Sequence, residues 1–235
     1  SLKTRVSINT KDKKALADIY KNFDQREYNA IKRIESKTKH DVSAVVEYLS
    51  DKVENISEDL APWIHFGLTS EDINNTAYSL MVKGAVEGPV FSSLSTLSSS
   101  LKKIIIKTKG FSMLSLTHGQ PATTTTLGKE LAVFHSRLER QMQQIKKVRL
   151  LAKFSGATGT FAAHKTAFPK ENWISFSKKF IASLGLESNP ITTQIEPNDA
   201  LAELLHSFVR INNILTDMSV DMWLYIERNI FIQKN

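Results

Sequence analysis

The stretch Leu116-Thr117-His118-Gly119-Gln120-Pro121-Ala122-Thr123 places a histidine among polar side chains just before a proline. A helical pattern follows, with apolar residues three, four or seven positions apart: Leu127, Leu131, Phe134, Leu138, Ile145, Val148 and Ala152. Proline is tolerated in the first turn of a helix, and the threonines after it offer capping oxygens. We therefore expect a helix to begin here, with His118 and free backbone N–H groups available to an anion in the preceding turn. A well-capped helix with an incidental histidine would explain the same residues.

Composition limits the class of protein. The chain has 235 residues, enough for a sizeable core and for one or two domains. Its net charge of +7 fits an anionic partner such as nucleic acid, a phosphorylated metabolite or carboxylates. The absence of cysteine excludes disulfides and thiolate chemistry and suits the cytosol. No apolar run approaches the roughly 20 residues of a membrane span and no signal peptide is visible, so we expect a cytoplasmic protein without a membrane partner.

Upstream of the central stretch, the apolar spacing predicts one helix after another. Three short helices should precede residue 55, and their expected positions are Asp12–Phe23, the capping box Asp24–Glu27 onward through Ile34, and a cap at Asp41 onward through Val53. The turn at Lys37–His40 separates the second helix from the third. A cap at Thr69 or Ser70 then opens a very long helix that reaches about Lys109. This helix should bend at Gly84, Gly88 and Pro89.

Downstream, two more long helices and one short helix are predicted. The second long helix should run from about Thr125 to Phe154, where the glycine turn Ser155–Gly159 ends it. A shorter helix over Asn172–Leu184 stops at Gly185, in the position that follows a helix C-terminus. The third long helix carries apolar residues at helical spacing: Leu201, Leu204, Phe208, Leu215, Met218, Met222 and Tyr225. No alternating strand pattern appears.

These patterns predict an all-α fold organised as a bundle of long helices, with more than half of the residues helical and three helices longer than about 25 residues. Helices of about 30 to 40 residues would be roughly 45 to 60 Å long. They bury their apolar stripes only against partners of similar length, so other subunits should complete the bundle. We expect residues 1–68 to form a smaller N-terminal helical domain and residues 69–235 a central bundle domain.

Several site chemistries lack the residues they need. Gly156-x-x-Gly159 follows a helix rather than a strand, so it is not a dinucleotide or P-loop fingerprint. No two histidines lie four apart on one helix, so no helical zinc site is expected. His135 and His206 lie inside long helices, where we expect structural or solvated roles. The basic residues are scattered among acids, which indicates a solvated surface rather than a nucleic-acid interface.

Polar motifs instead interrupt the helices at their ends, where free N–H groups and a partial positive charge suit carboxylates and phosphate. Five of these motifs occur in a recognisable order: Thr38–Val45, His65–Asn75, Thr117–Thr123, Ser155–Gly159 and Thr192–Pro197. In this combination the chain, from about Ile34 to its end, resembles the adenylosuccinate lyase family of the fumarase/aspartase superfamily. The Thr-Ser-x-Asp and Thr-His motifs are shared across the superfamily. The Lys-His-Asp turn and the Thr-Gln-Ile-Glu-Pro segment point to adenylosuccinate lyase within it.

The resemblance implies an all-α homotetramer whose active sites each take residues from three subunits. It implies a β-elimination in purine nucleotide biosynthesis that releases fumarate from adenylosuccinate, giving AMP, or from the succinylated carboxamide ribotide, giving its free amide. A base removes a proton next to a carboxylate, an acid protonates the leaving nitrogen, and fixed donors stabilise the developing aci-carboxylate. The resemblance implies no cofactor and no metal.

Site residues follow from the resemblance, position by position. His118 matches the general acid, and nearby phosphate and carboxylates should favour its protonated form. The expected substrate contacts are Thr69 and Ser70 at the succinyl part, and the turn Lys39, His40 and Asp41 at the nucleotide. Thr117 and Gln194 are further substrate contacts, and His65 is a supporting active-site histidine. His164, in the loop after the glycine turn, is a rival for the acid role.

One departure from the family pattern is large. The family's proton-abstracting serine lies in a Ser-Ser-x-Met-Pro-x-Lys-x-Asn loop after the third long helix, and this sequence contains no such motif. The N-terminal Arg-Tyr contact and the C-terminal domain are also missing. The chain therefore looks like a fragment of the enzyme that should be inactive alone. A related lyase, such as one acting on argininosuccinate, and a non-catalytic basic helical binding protein remain alternatives.

Overall fold

Helices dominate the structure, as the apolar spacing predicts. The computed structural model describes residues 8–232, and helix accounts for 66 % of it, which confirms the all-α class. The helices are α1 Thr10–Lys21, α2 Gln25–Thr38, α3 Asp41–Glu54, α4 Ser70–Ala85, α5 Phe91–Thr108, α6 Leu127–Lys147, α7 Ala162–Ala167, α8 Trp173–Ser183 and α9 Asp199–Glu227. Within residues 8–232, none of them is both long enough and apolar enough to cross a membrane.

The chain forms two compact units. The first unit contains the described residues up to Leu80 together with Leu151–Pro197. The second unit contains Met81–Leu150 and the described residues from Asn198 onward. The expected division into an N-terminal domain and a central bundle at residues 68 and 69 stays a prediction.

In the first unit, α2 and α3 are joined through a polar network. Asp24 caps α2, because its Oδ1 accepts the N–H groups of Arg26 at 2.7 Å and Glu27 at 3.2 Å. Glu27 reaches α3 instead of closing the capping box: it accepts from the hydroxyl of Tyr48 and from Lys52 Nζ at 3.1 Å. These two hydrogen bonds lower the pKa of Glu27. The predicted start of α2 is therefore confirmed, with a different role for Glu27.

The cap of α3 differs from the prediction. Asp41 is the first residue of the helix, and the capping residue is His40, whose Nδ1 accepts the N–H of Ser43 at 3.3 Å. The imidazole nitrogen thus does what the Asp41 carboxylate was expected to do. Asp41 still lies in the first turn, where its charge suits the helix dipole.

In the second unit, α5, α6 and α9 pack around one apolar core. Its buried members are Leu101, Phe134, Leu138, Ile145, Leu204, Ile211 and Ile214. Each such side chain contributes about 1.5–3 kcal/mol when it is fully removed from water. Polar contacts tie the same helices together: Arg137 on α6 binds Asp217 on α9 at 2.7 Å, and Ser98 on α5 lies 3.1 Å from His135 on α6. His135 therefore has the structural role that its position in the helix predicts.

A β-hairpin occupies the central stretch, where a helix start was predicted. Strand β1, Ser112–Thr117, pairs antiparallel with β2, Gln120–Thr126. The helix expected just after Pro121 is wrong: α6 begins at Leu127, where the hydroxyl of Thr126 accepts the N–H of Lys129 at 3.2 Å. This cap is the last of four consecutive threonines, and β-branched residues favour extended strands. The sequence shows no alternating strand pattern, so this hairpin was not predicted.

The prediction of three helices longer than 25 residues is only partly right. Among residues 8–232, only α9, with 29 residues, exceeds that length without interruption. Helix α6 has 21 residues because the chain becomes extended at Val148. Residues Leu151–Ala152 then form strand β3, which pairs in parallel with β4, Glu187–Ser188.

The first long helix is interrupted where glycine and proline occur. A π-helical turn, Val86–Val90, joins α4 to α5, and Gly88 inside it has a non-helical ψ of −105°. Pro89 lacks the N–H group that a regular helix would use. The predicted bend is therefore confirmed at Gly88 and Pro89. Gly185, with φ of 73°, follows α8 as expected.

Candidate active site

The first turn of α4 is organised around one buried carboxylate. Asp72 is 1 % exposed. Its oxygens accept three backbone N–H groups, from Thr69 at 2.9 Å, Ser155 at 2.9 Å and Gly156 at 3.0 Å. The entry to α4, which carries the predicted contacts Thr69 and Ser70, is thereby tied to the glycine turn.

A buried lysine completes this arrangement. Lys153 is 0 % exposed, and its Nζ lies 3.0 Å from Asp72 Oδ1. The same ammonium donates to the carbonyl oxygens of Gly156 at 3.0 Å and Gln194 at 2.7 Å. An ammonium has three N–H donors, so all of them are used. The ion pair is therefore both buried and fully hydrogen-bonded, the condition under which such a pair is tolerated.

The Asp72–Lys153 pair was not predicted from the sequence, because the apolar spacing predicts a second long helix that includes Lys153. The signal was its position: Lys153 stands between Ala152 and Phe154 in the apolar run from Leu150. A charged residue in such a run is seldom buried without a partner. The side chain of Asn75 holds the backbone of Lys153. Asn75 Oδ1 accepts the N–H of Lys153 at 2.8 Å, and Asn75 Nδ2 donates to the carbonyl oxygen of Lys153 at 3.3 Å.

Four of the predicted substrate contacts lie together in the first unit. The side-chain amide of Gln194 donates to the hydroxyl of Thr69 at 3.4 Å. The Nε2 of His40 lies 3.3 Å from the hydroxyl of Ser70. The structure thus brings residues from the starts of α3 and α4 and from the loop after β4 to the N-terminus of α4, which favours bound anions.

The Nδ1 atom of His40 lies close to two different polar groups. Its Nδ1 accepts the N–H of Ser43 when the ring is neutral, and it also lies 3.1 Å from the carboxylate of Asp41. A protonated ring would lose the cap and gain the ion pair. The pKa of Asp41 is lowered, first by the N–H of Val42 and further by Asn74 and His40. Lys39, with φ of 56°, ends α2 with an exposed side chain.

His65 stands apart from these hydrogen bonds. It has a φ of 61°, and its buried Nδ1 has no hydrogen-bond partner among the described residues. Burial lowers the pKa of His65, the charge of Asp72 opposes this, and His40 adds to it. The supporting role expected of His65 stays a prediction.

His164 lies beneath the turn that leads into α4. Its ring is 1 % exposed and packs against Phe66, Phe154, Phe161 and Trp173, with the Trp173 centroid at 4.6 Å. Neither ring nitrogen has a hydrogen-bond partner in the described part of the chain. Burial lowers the pKa of His164, and Asp72 partly opposes the shift. The imidazole is therefore held neutral and away from solvent.

His118 belongs to the second unit, at the tip of the hairpin. The turn has two residues, His118 and Gly119, with φ of 51° and 73°, the signs that a type I′ turn requires. Thr117 is the last residue of β1 and pairs with Gln120. His118 was expected in a turn directly before a helix, but it occupies a hairpin tip. Its side chain is nevertheless exposed, so it is available to a ligand.

A cavity of about 330 Å³ lies beside the hairpin in the second unit. Gly119, Glu130, Asp221, Tyr225 and Arg228 are in its wall. Burial raises the pKa of Asp221, and the neighbouring carboxylate of Glu130 adds to this. Burial also raises the pKa of Tyr225 to about 12. The cavity wall therefore contains a carboxyl group that takes up a proton more readily than an ordinary aspartate.

The functional groups gathered in the first unit are hydroxyls, an amide and an imidazole around a helix N-terminus. They can hold carboxylate oxygens with neutral donors and the helix dipole. In residues 8–232 no group of three or more histidine or acidic residues is placed to hold a metal ion.

The chain belongs to the Lyase_1 family of lyases, whose model matches residues 3–233, and its helical fold agrees with that class. Among solved structures, a fumarate lyase from Mesorhizobium sp. BNC1 is similar, with a TM-score of 0.78 and 20 % identity over 93 % of this chain and 50 % of that one. The β-carboxy-cis,cis-muconate cycloisomerase from Acinetobacter calcoaceticus sp. ADP1 has a TM-score of 0.75 and 22 % identity, with coverages of 93 % and 50 %. These two similarities concern the fold.

Similar proteins of higher identity carry a more specific name. The adenylosuccinate lyase of Legionella pneumophila (strain Corby) is 44 % identical over 97 % of this chain and 50 % of its own length. The adenylosuccinate lyase of Escherichia coli (strain K12) is 43 % identical over 92 % of this chain and 48 % of its own length. The chain spans about half the length of the relatives it matches.

Proposed function

We propose that the chain contributes substrate-binding and acid-base residues to an adenylosuccinate lyase. This enzyme would cleave adenylosuccinate to AMP and fumarate, and the succinylated carboxamide ribotide to its free amide and fumarate. The observation that carries the proposal is the contact of Gln194 with Thr69 at the N-terminus of α4, next to His40 and Ser70. The names of relatives that are 43–44 % identical support it.

In this proposal the α4 N-terminus holds the succinyl part of the substrate. The hydroxyls of Thr69 and Ser70 donate to a carboxylate, and the helix dipole favours its charge. The side-chain amide of Gln194 contacts the same end of the substrate. The exposed turn at Lys39, His40 and Asp41 contacts the nucleotide, where a cationic Lys39 suits phosphate.

His118 is the general acid of the proposed reaction. A base removes the proton on the carbon next to a carboxylate, the bond from the neighbouring carbon to nitrogen breaks, and the imidazolium of His118 gives its proton to the leaving nitrogen. The positive φ of His118 places its ring at an exposed hairpin tip. Thr117 precedes it as a substrate contact. The family resemblance assigns the base to a serine in a motif that this sequence lacks, and no metal or cofactor enters the proposed reaction.

A homotetramer with shared active sites is part of the proposal. Helix α9 exposes large apolar side chains: Leu205 53 %, Val209 54 %, Val220 45 % and Trp223 66 %. They lie on one face of α9 at spacings of four, eleven and three residues, and exposed apolar side chains on one helix face suit burial against other helices. We also propose a cytoplasmic location, which fits the cysteine-free composition.

The test is fumarate release by the full-length protein. Purified protein is given adenylosuccinate, argininosuccinate or no substrate, and fumarate is followed by absorbance. We expect turnover of adenylosuccinate alone. Turnover of argininosuccinate instead would assign the chain to the related lyase. No turnover together with steeply salt-dependent binding of nucleic acid would support the non-catalytic alternative.

A further inference from the structure

We infer that the buried pair Asp72–Lys153 is a positioning device that sets Thr69 and Gln194 against one another. This inference rests on the proposed function, since it takes those two side chains as substrate contacts. Neither charged group is accessible to a ligand, because Asp72 is 1 % and Lys153 is 0 % exposed. Both are therefore positioning residues rather than catalytic ones.

The pair reaches each contact residue through its backbone. The Oδ2 of Asp72 accepts the N–H of Thr69 at 2.9 Å. The Nζ of Lys153 donates to the carbonyl of Gln194 at 2.7 Å. Since the two charged groups lie 3.0 Å apart, these bonds form one short connection between the two backbones. The same two residues also meet directly, through the side-chain contact of 3.4 Å between Gln194 and Thr69.

The segment that carries Gln194 has little apolar burial to hold it. Ile191 is 88 % exposed and Ile195 is 57 % exposed. The Oγ1 of Thr192 lies 3.4 Å from the hydroxyl of Ser155, a long contact for two hydroxyls. The bond from the charged Lys153 is shorter, and a charged donor makes a stronger hydrogen bond than a neutral one. Lys153 is therefore the polar anchor at Gln194 itself, while Asn189 Nδ2 donates to the buried Glu196 at 2.9 Å further along the segment.

Replacement of the lysine is the cleaner substitution. In Lys153→Met, the Asp72 carboxylate keeps three backbone N–H donors and the dipole of α4. In Asp72→Asn, an ammonium would stay buried without its counter-charge, which is a stronger cause of unfolding. Lys153→Met thus releases Gln194 while it leaves Asp72 satisfied.

The first measurement uses the unchanged full-length protein. Hydrogen exchange should be at least about 100-fold slower at the amides of Thr69, Ser155 and Gly156 than at the exposed Ala157 and Thr158, because Asp72 accepts the first three in a buried site. Exchange of those three amides at the rate of Ala157 would overturn the inference. This result depends neither on activity nor on any variant's folding.

The second measurement compares Lys153→Met with Tyr48→Phe. The control removes the hydroxyl that binds Glu27, a contact in the same unit that does not touch the site. We expect Lys153→Met to raise KM for adenylosuccinate about tenfold or more while kcat changes less, the result expected when uniform binding is lost. It should also speed exchange over residues 190–196. Tyr48→Phe should change neither KM nor the exchange over residues 190–196, even where it lowers the free energy of unfolding by the same amount.

A double variant separates positioning from general destabilisation. If Lys153 acts through Gln194, Lys153→Met should add little to the KM of Gln194→Ala, because both remove the same contact. Fully additive effects, or equal effects of Lys153→Met and Tyr48→Phe, would count against the inference. If Lys153→Met does not fold, Lys153→Gln, whose amide keeps a donor of shorter reach, is measured in the same way. If the wild-type protein releases no fumarate, the proposed function fails while the exchange measurements still decide the positioning role.

Discussion

The ring of His164 lies directly against the α-carbon of Gly67. A Cβ added at position 67 would come within 2.8 Å of His164 Nε2, and Gly67 has a φ of 67°. Both facts demand glycine, because other residues seldom adopt this φ and the ring is enclosed by aromatic side chains. The turn that leads into α4 is therefore shaped by a residue almost a hundred positions away in sequence.

Gly67→Ala should destabilise the protein by about 1–3 kcal/mol, through backbone strain and overpacking together. The measurement is chemical denaturation at neutral pH. Gly84→Ala is the matched control, since a Cβ there meets nothing within 4 Å and the residue lies inside α4. That substitution should stabilise by up to about 1 kcal/mol. Equal stability of the two variants would show that the close approach to His164 is wrong.

The buried imidazole of His164 should make stability depend on pH. The unfolded ring titrates near its ordinary pKa of about 6.5, whereas burial lowers the pKa of the folded ring. Between these two values the unfolded state binds more protons, so the free energy of unfolding rises with pH. Stability should therefore be complete above about pH 6.5 and fall on acidification below it.

His164→Phe should remove up to about 1.4 kcal/mol per pH unit of this dependence. At pH 8 the variant should lose about 1–3 kcal/mol because the larger ring overpacks the site against Gly67, whereas the ring nitrogens it loses have no hydrogen-bond partners among the described residues. Urea denaturation between pH 5 and 8 measures both effects. His65, whose pKa is also lowered, should leave a residual slope. A slope unchanged by His164→Phe would mean that the pKa of this imidazole is the same in the folded and unfolded states.

His118→Ala in the full-length protein should lower kcat about 10²–10⁴-fold, the usual span for a positioned acid. The affinity for adenylosuccinate should fall much less, because Thr69, Ser70 and Gln194 would still hold the substrate. Steady-state kinetics of fumarate release measure both. His164→Phe is the control, and its kcat should stay near the wild-type value. The assignment of the acid would be reversed by a dead His164 variant and an active His118 variant.

The full-length protein should sediment as a tetramer at micromolar concentration. Trp223→Glu should weaken the assembly, since it places a charge where α9 exposes a large apolar side chain, 66 % of which is accessible. Lys14→Glu, at an exposed position of α1, is the control and should leave the sedimentation coefficient unchanged. A wild-type protein that sediments as a monomer would contradict the proposed homotetramer.

Most of the helical fold could be predicted because its determinants are local. Apolar spacing predicted α9 and the core face of α6, and capping residues such as Asp24 predicted where a helix begins. The hairpin was missed although its signal was present. Thr123–Thr126 is a run of strand-forming residues, and a histidine followed by glycine can form a two-residue turn. Pro121 instead favoured the prediction of a helix start.

The missed parts of the candidate site depend on contacts between distant residues. Helix α6 stops short of Phe154, and the backbone of Lys153 finds its partners in Asn75, 78 positions away. The Asp72–Lys153 pair likewise joins two segments that are far apart in the sequence. Propensity describes neighbours along the chain, so no local pattern predicts such a pairing. The motif residues Thr69, Ser70 and Gln194 were predicted through the family resemblance, whereas the residues that hold them were not.

Because the Asp72–Lys153 pair is sealed from water, dissolved ions cannot screen it, whereas exposed charges such as Lys39 lose most of their reach within about 10 Å at 0.1 M salt. Ionic strength should therefore affect the exposed and the buried parts of the proposed site differently. High salt should weaken the proposed contact between a phosphate and the turn at Lys39, His40 and Asp41, while the geometry of Thr69 and Gln194 stays as it is in dilute buffer.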